Sequence, residues 1–276
     1  MTSRIDDFRA LHTSGCFVLP NPWDVGTAIH LQHAGFRALA TTSGGFAFAR
    51  GLPDEAWAIP RDAMLTHVGE LVAATTLPVN ADFQNGYADD PEGVAANVAL
   101  CIATGVAGLS IEDATGNRET PLYEARLALE RIKAARAAID ASKTKVVLTA
   151  RCEAWLVSDP TPLRTAVDRL VAFADAGADC LFAPGVRDPE SIATLVKAVA
   201  PKPLNVLVSA PSPTMTVARL TELGVRRVSV GSSLARVAWG AFIRAARTIA
   251  EQGTFDAFAD AAPYADLNGL FTPQRT

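Results

Sequence analysis

The chain has 276 residues, 49% of them hydrophobic and 20% charged, with a formal net charge of −4. That is enough apolar material for one large core, at the usual size of a (β/α)₈ barrel, and no Pro/Gly/Ser-rich linker divides it. The acidic balance and scattered Lys and Arg leave no footprint for nucleic acid or an anionic membrane, and no apolar run is long enough to span a bilayer.

In chain order, the polar start from Met1 to Asp7 lacks a signal-peptide core. Strand-like runs then recur at 17–20, 38–42, 78–82, 108–112, 146–151, 180–184, 204–208 and 227–230. Most are continuously apolar, as strands covered on both faces should be. Helical periodicity fills the gaps. Val94, Val98 and Ile102 share a stripe over 91–104, and Leu127, Ile132 and Ala135 point inward over 123–141. Asp90-Pro91 and Asp188-Pro189 pair a capping acid with proline at the first helical position. Gly35, Gly177 and Gly224 end helices just before strands. This pattern predicts an α/β fold, a single TIM-type (β/α)₈ barrel domain over 1–276, with a C-terminal helical extension from about 233. The helix at 233–251 carries Leu234, Val237, Ala241 and Ala245 on one face, with Trp239 and Phe242 besides. That is more apolar surface than a barrel exterior needs, so it is expected to pack on a partner subunit in a homodimer or homotetramer. Cys16, Cys101, Cys152 and Cys180 have neither CxxC spacing nor disulfide-scaffold density, so a cytoplasmic protein with reduced thiols is expected.

The chemistry concentrates at strand ends. Asn80 and Asp82 close one apolar run, and Glu112 closes the next. Groups at the C-terminal ends of barrel strands converge on one mouth. Two carboxylates and an amide, with no Cys/His cluster nearby, suit a hard cation: Mg²⁺, or Mn²⁺ in its place. Either acid alone would serve equally well as a helix cap, but the two together point to the cation. Thr42, Ser43, Gly44 and Gly45 form a turn after a strand and offer backbone N–H groups and a hydroxyl to an anionic oxygen. Arg151 closes a strand, where it either forks onto a substrate carboxylate or pairs structurally with Glu153 or Glu112. Asp54, beside Arg50, Gly51 and Pro53, fits a lid and equally a solvated loop.

Taken together, these motifs resemble the isocitrate lyase/phosphoenolpyruvate mutase superfamily from about Asn21 to Phe242. Asn21-Pro22-Trp23-Asp24 is similar to its opening strand and helix, Ser43-Gly44-Gly45 to its Ser-Gly loop, and Gly51-Leu52-Pro53-Asp54 to its mobile gate. Asp82 and Glu112 match two of its metal-site carboxylates, and Arg151 its strand-5 arginine. Two departures stand out. The first acid of the strand-3 pair is Asn80, a neutral oxygen ligand. The segment from Asp113 to Tyr123 lacks the Lys-(Lys/Arg)-Cys-Gly-His loop of isocitrate and methylisocitrate lyases, which argues against those two activities.

The resemblance implies a Mg²⁺-dependent lyase that cleaves or forms a C–C bond beside an α-oxo or 2-hydroxy carboxylate through a metal-stabilised enolate. Its partner would be a small carboxylate substrate. Oxaloacetate decarboxylation and P–C bond chemistry on phosphonopyruvate-type substrates are the alternatives within the superfamily, and a non-catalytic dicarboxylate binder is the alternative outside it. Arg151, Asp54, Glu153 and Tyr87 are the candidate catalytic residues; Tyr87, Glu119, Glu153 and a metal-bound water are candidates to reprotonate the enolate. His12, His30, His33 and His67 form no metal triad, and Gly231-Ser232-Ser233 resembles a barrel phosphate site only in position.

Overall fold

A computed structural model describes residues 3–55 and 57–272; residues 1–2, 56 and 273–276, which the predicted 1–276 span includes, lie outside the described residues. Eight parallel strands form one sheet: β1 (Phe17–Leu19), β2 (Leu39–Ala40), β3 (Val79–Asp82), β4 (Gly108–Glu112), β5 (Val147–Arg151), β6 (Cys180–Phe182), β7 (Leu204–Leu207) and β8 (Arg227–Ser229). The order β1-β8-β7-β6-β5-β4-β3-β2 leaves β1 and β2 at the two ends. Ala40 N–H donates to the Pro20 carbonyl at 3.0 Å and bridges that gap. Asn21 reinforces it, donating to the Thr41 carbonyl and accepting from the Val230 and Gly231 N–H groups. The sheet is thus a nearly closed TIM barrel.

Helices alternate with the strands: α1 (Arg4–Leu11), α2 (Val25–His33), α3 (Ser43–Ala49), α4 (Arg61–Ala74), α5 (Pro91–Ala103), α6 (Ala125–Ser142), α7 (Pro162–Asp175), α8 (Pro189–Val199), α9 (Val217–Glu222), α10 (Ser233–Gln252) and α11 (Tyr264–Phe271). The Asp90 and Asp188 carboxylates cap α5 and α8 as predicted. Gly35, Gly177 and Gly224 take left-handed φ values of 85°, 99° and 88° after their helices. The main apolar core lies between strands and helices, and includes Val98, Ile111, Ile132 and Leu170.

The N-terminal end of the barrel is stoppered by α1. Phe8 is fully buried in a cluster with Phe17, Ala38, Ala107 and Val147, which lie at or just before strand starts. A side chain at Gly108 would come within 2.6 Å of both the Phe8 ring and Asn80 Oδ1, so glycine is what lets them approach. Above this stopper the barrel interior is polar. Asn80, Ser110, Thr149, Asn205, Arg227 and Ser229 are all buried, where such barrels more often hold bulky aliphatics. Among the described residues no helix is long and apolar enough to cross a membrane.

Candidate active site

A cavity of about 250 Å³ opens at the C-terminal mouth of the barrel and runs into this polar interior. At its rim, three neighbouring strands deliver one charge cluster. Arg151, ending β5, places Nη1 3.2 Å from Asp82 Oδ1 on β3 and 3.2 Å from Glu112 Oε2 on β4. Its Nε donates to Glu153 just beyond the strand, so Glu153 aims the guanidinium rather than facing the cavity. Asp113 holds that support in place, accepting the Glu153 N–H at 2.8 Å and pairing with Arg169 of α7 at 3.0 Å.

Burial opposes the charge on Arg151, yet Glu153, Glu112 and Asp82 outweigh it and hold the guanidinium firmly protonated. Burial likewise pushes the Glu112 carboxyl upward, against the pull of Arg151 and with help from Glu153 and Asp82.

The predicted Ser-Gly-Gly turn is the first turn of α3, capped by the Thr42 side chain on Gly45 N–H at 3.1 Å. The helix forms despite two glycines because Phe46 is buried and stacks on His67, with ring centroids 3.8 Å apart. Asp82 Oδ2 accepts both the N–H and the hydroxyl of Ser43 at 2.9 Å. Two of the three N–H groups expected for an anion are therefore already used. Gly44 lines the cavity, and a Cβ on it would sit 2.4 Å from Asp54 Oδ2. Asp54 thus lies directly over the cavity, its carboxyl pushed upward by burial and by the Asp82 charge, with Arg151 opposing.

Of the predicted site residues, Thr42, Ser43, Gly44, Asp54, Asn80, Asp82 and Arg151 line the cavity, while Gly45, Tyr87, Glu112 and Glu153 lie behind that surface. Tyr87 packs against Phe83 and Trp57, and its buried hydroxyl has no hydrogen-bond partner. Glu119 is exposed on the loop after β4. Sequence reasoning missed Asn205, Arg227 and Ser229 deep in the cavity, and Arg236 at its rim.

The mouth suits a divalent cation. Asp54, Asp82, Glu112 and Glu153 gather around one Arg151, leaving negative charge in excess, and every donor is oxygen. Asn80 lines the cavity, and its Oδ1, buried beside Gly108, has no hydrogen-bond partner. Among the described residues no three His, Cys, Asp or Glu side chains converge to complete a metal shell. Mg²⁺ does not require that, since it keeps several waters and takes one or two carboxylates with substrate oxygens. The residues present fit such an ion.

Comparison with known proteins gives this geometry a setting. The family model described as phosphoenolpyruvate phosphomutase matches residues 8–250. A 2-methylisocitrate lyase of Halalkalibacterium halodurans is 27% identical over 256 residues, covering 91% of this chain and 84% of that enzyme. A crystal structure of a candidate lyase/mutase from Burkholderia cenocepacia J2315 is 48% identical, with a TM-score of 0.93 over 98% of this chain and 96% of that one. An oxaloacetate acetylhydrolase in complex with its product oxalate is 27% identical, with a TM-score of 0.86 over 97% and 93% of the two chains. The chain belongs to the phosphoenolpyruvate phosphomutase family, within the isocitrate lyase/phosphoenolpyruvate mutase superfamily of lyases and mutases.

Proposed function

We propose that this protein is a Mg²⁺-dependent lyase, with Mn²⁺ able to substitute, that cleaves or forms a C–C bond beside an α-oxo or 2-hydroxy carboxylate. The observation that carries this reading is a single arginine nitrogen 3.2 Å from two strand-end carboxylates, one of which also holds Ser43. Asp82 and Asn80 would hold the ion, with Glu112 behind them. When bound, it would polarise the oxo and carboxylate oxygens and stabilise the enolate charge left by bond cleavage. Arg151, kept protonated and aimed by Glu153, neutralises charge developing on the substrate. The Gly44 N–H, which has no acceptor among the described residues, receives the substrate's anionic end, while the N–H and hydroxyl of Ser43 hold Asp82 in place. Asp54, on the segment after α3, sits where a closing gate would exclude water.

None of Tyr87, Glu119 and Glu153 reaches the cavity, so the proton returned to the enolate comes through water at the mouth or from Asp54. We also propose the homodimer or homotetramer predicted above, supported by the exposed Val237, Trp239, Phe242 and Ile243 of α10. We also propose a cytoplasmic location, which the four free thiols support, and a single barrel domain over 1–276, which the one eight-stranded sheet supports.

The test is turnover of oxaloacetate, alkylmalates, 2-methylisocitrate and phosphonopyruvate with Mg²⁺. One C–C substrate should be consumed, the activity should vanish in chelator, and Mg²⁺ should restore it. Consumption of phosphonopyruvate alone would move the reading to P–C chemistry. Binding without turnover of any of them would make the protein a dicarboxylate binder.

A further inference from the structure

Deep in the cavity lies a second charge that the lyase reading leaves unused. Arg227, at the start of β8, is 2% exposed and lines the cavity. Its Nε donates to Asn205 Oδ1 at 2.8 Å, Nη2 donates to Thr149 Oγ1 at 3.0 Å, and Nη1 lies 3.3 Å from His12 Nε2. All three acceptors are neutral. The Nδ1 of His12 sits 2.7 Å from the Phe8 carbonyl, which can only accept, so Nδ1 carries the proton and Nε2 offers its lone pair to Arg227.

Buried arginines elsewhere in this protein are balanced. Arg151 and Arg169 pair directly with acids, and Arg131 has Asp89 and Asp113 close enough to favour its charge. Arg227 has no salt-bridge partner among the described residues. A guanidinium stays protonated inside proteins, and a buried charge without a counter-charge is costly. Three of its five N–H donors are used, which leaves two. The Arg227–Asn205 bond also fixes the amide: Oδ1 must face Nε–H, so Nδ2 points to Ser229 Oγ at 2.9 Å. The floor of the cavity is therefore cationic and rich in donors, opposite in sign to its mouth.

We propose that Arg227, with Asn205 and Ser229, forms a second anion subsite at the floor of this cavity, which takes a distal carboxylate and so selects small dicarboxylates. The proposal rests on the lyase reading only in calling that dicarboxylate the substrate; anion binding at the floor is measured without turnover. Calorimetry compares matched pairs that differ in one terminal carboxylate: malonate with propanoate, succinate with butanoate, and glutarate with pentanoate. At least one dicarboxylate should bind roughly ten- to a hundredfold tighter than its partner, the worth of a hydrogen bond to a charged group. Arg227→Met should erase that preference while Mg²⁺-dependent oxalate binding at the mouth stays unchanged. If Arg227→Met does not fold, the wild-type pairs still decide, because equal binding within all three pairs overturns the proposal. A preference that survives in folded Arg227→Met overturns it too, since the second carboxylate then lies elsewhere. Loss of oxalate binding in the wild type would instead count against the lyase reading.

Discussion

The two ends of the cavity carry opposite electrostatic errors. At the mouth, four carboxylates gather around one guanidinium; at the floor, one guanidinium is surrounded by an amide, a hydroxyl and a neutral imidazole. Folding alone would favour neither, because unbalanced buried charge costs stability. The proposed reading accounts for both: it puts a cation at the mouth and an anion at the floor, and a substrate with a carboxylate at each end would join the two. The mouth is also braced, through Glu153, Asp113 and Arg169, so its arginine is aimed before any ligand arrives.

The largest effect should come from breaking the mouth. Asp82→Ala removes the acceptor of Ser43 and one partner of Arg151, and should lower kcat/KM by about 10²–10³ or more. Circular dichroism should show the barrel intact, and activity within tenfold of wild type would contradict the assignment.

Gly44→Val would push a side chain into Asp54, where even a Cβ lies 2.4 Å from its carboxylate. Turnover should fall roughly a hundredfold through misplacement of the rim. Wild-type kinetics in this variant would show that Gly44 and Asp54 do not shape the site.

Asn80→Asp supplies a charge where a buried oxygen now lacks a partner. It should tighten Mg²⁺ binding by roughly 1–3 kcal/mol, by analogy with charged over neutral hydrogen-bond partners. Unchanged affinity by calorimetry would place Asn80 away from the ion.

The smallest effect reads the floor. Burial first, then Arg227, lowers the His12 pKa from 6.5 to about 3, against the pull of the Phe8 carbonyl. The unfolded chain takes up this proton near pH 6.5 and the folded one does not. Stability from His12 is thus complete above pH 6.5 and is lost as pH falls toward 3, by at most about 1.4 kcal/mol per pH unit. Urea titrations from pH 7 to 4 should show a shallower acid loss in His12→Gln. An identical slope would mean that His12 is not held neutral.

Much of the barrel was legible in the sequence, because doubly covered strands read as apolar runs and all eight lie where those runs fall. Asp82, Glu112 and Arg151 were legible for the same reason: a charge that ends an apolar strand has few places to go but the mouth. What lies beyond a strand end was harder to read. Glu153 follows Arg151 by two residues, yet it turns behind the guanidinium instead of into the cavity. The helix at Ser43 was hidden because Gly-Gly reads as a turn, while the Thr42 cap and the packing of Phe46 on His67 favour the helix.

Arg227 was obscured by its neighbour. Arg227 opens the run 227–230 beside a second arginine, and strand alternation sends Arg226 outward to the Gly15 carbonyl and Arg227 inward, on the side of Ser229. The period of two could have flagged it.

The central claim is that the mouth binds a divalent cation together with an oxo-acid, and the linkage between the two tests it most directly. Calorimetry should measure oxalate binding to wild type and Asp82→Ala, each with Mg²⁺ and with chelator. The account predicts that Mg²⁺ and oxalate strengthen each other's binding in the wild type, and that this coupling disappears in Asp82→Ala. Oxalate binding of equal strength with Mg²⁺ and with chelator, or coupling that survives the loss of Asp82, would contradict it.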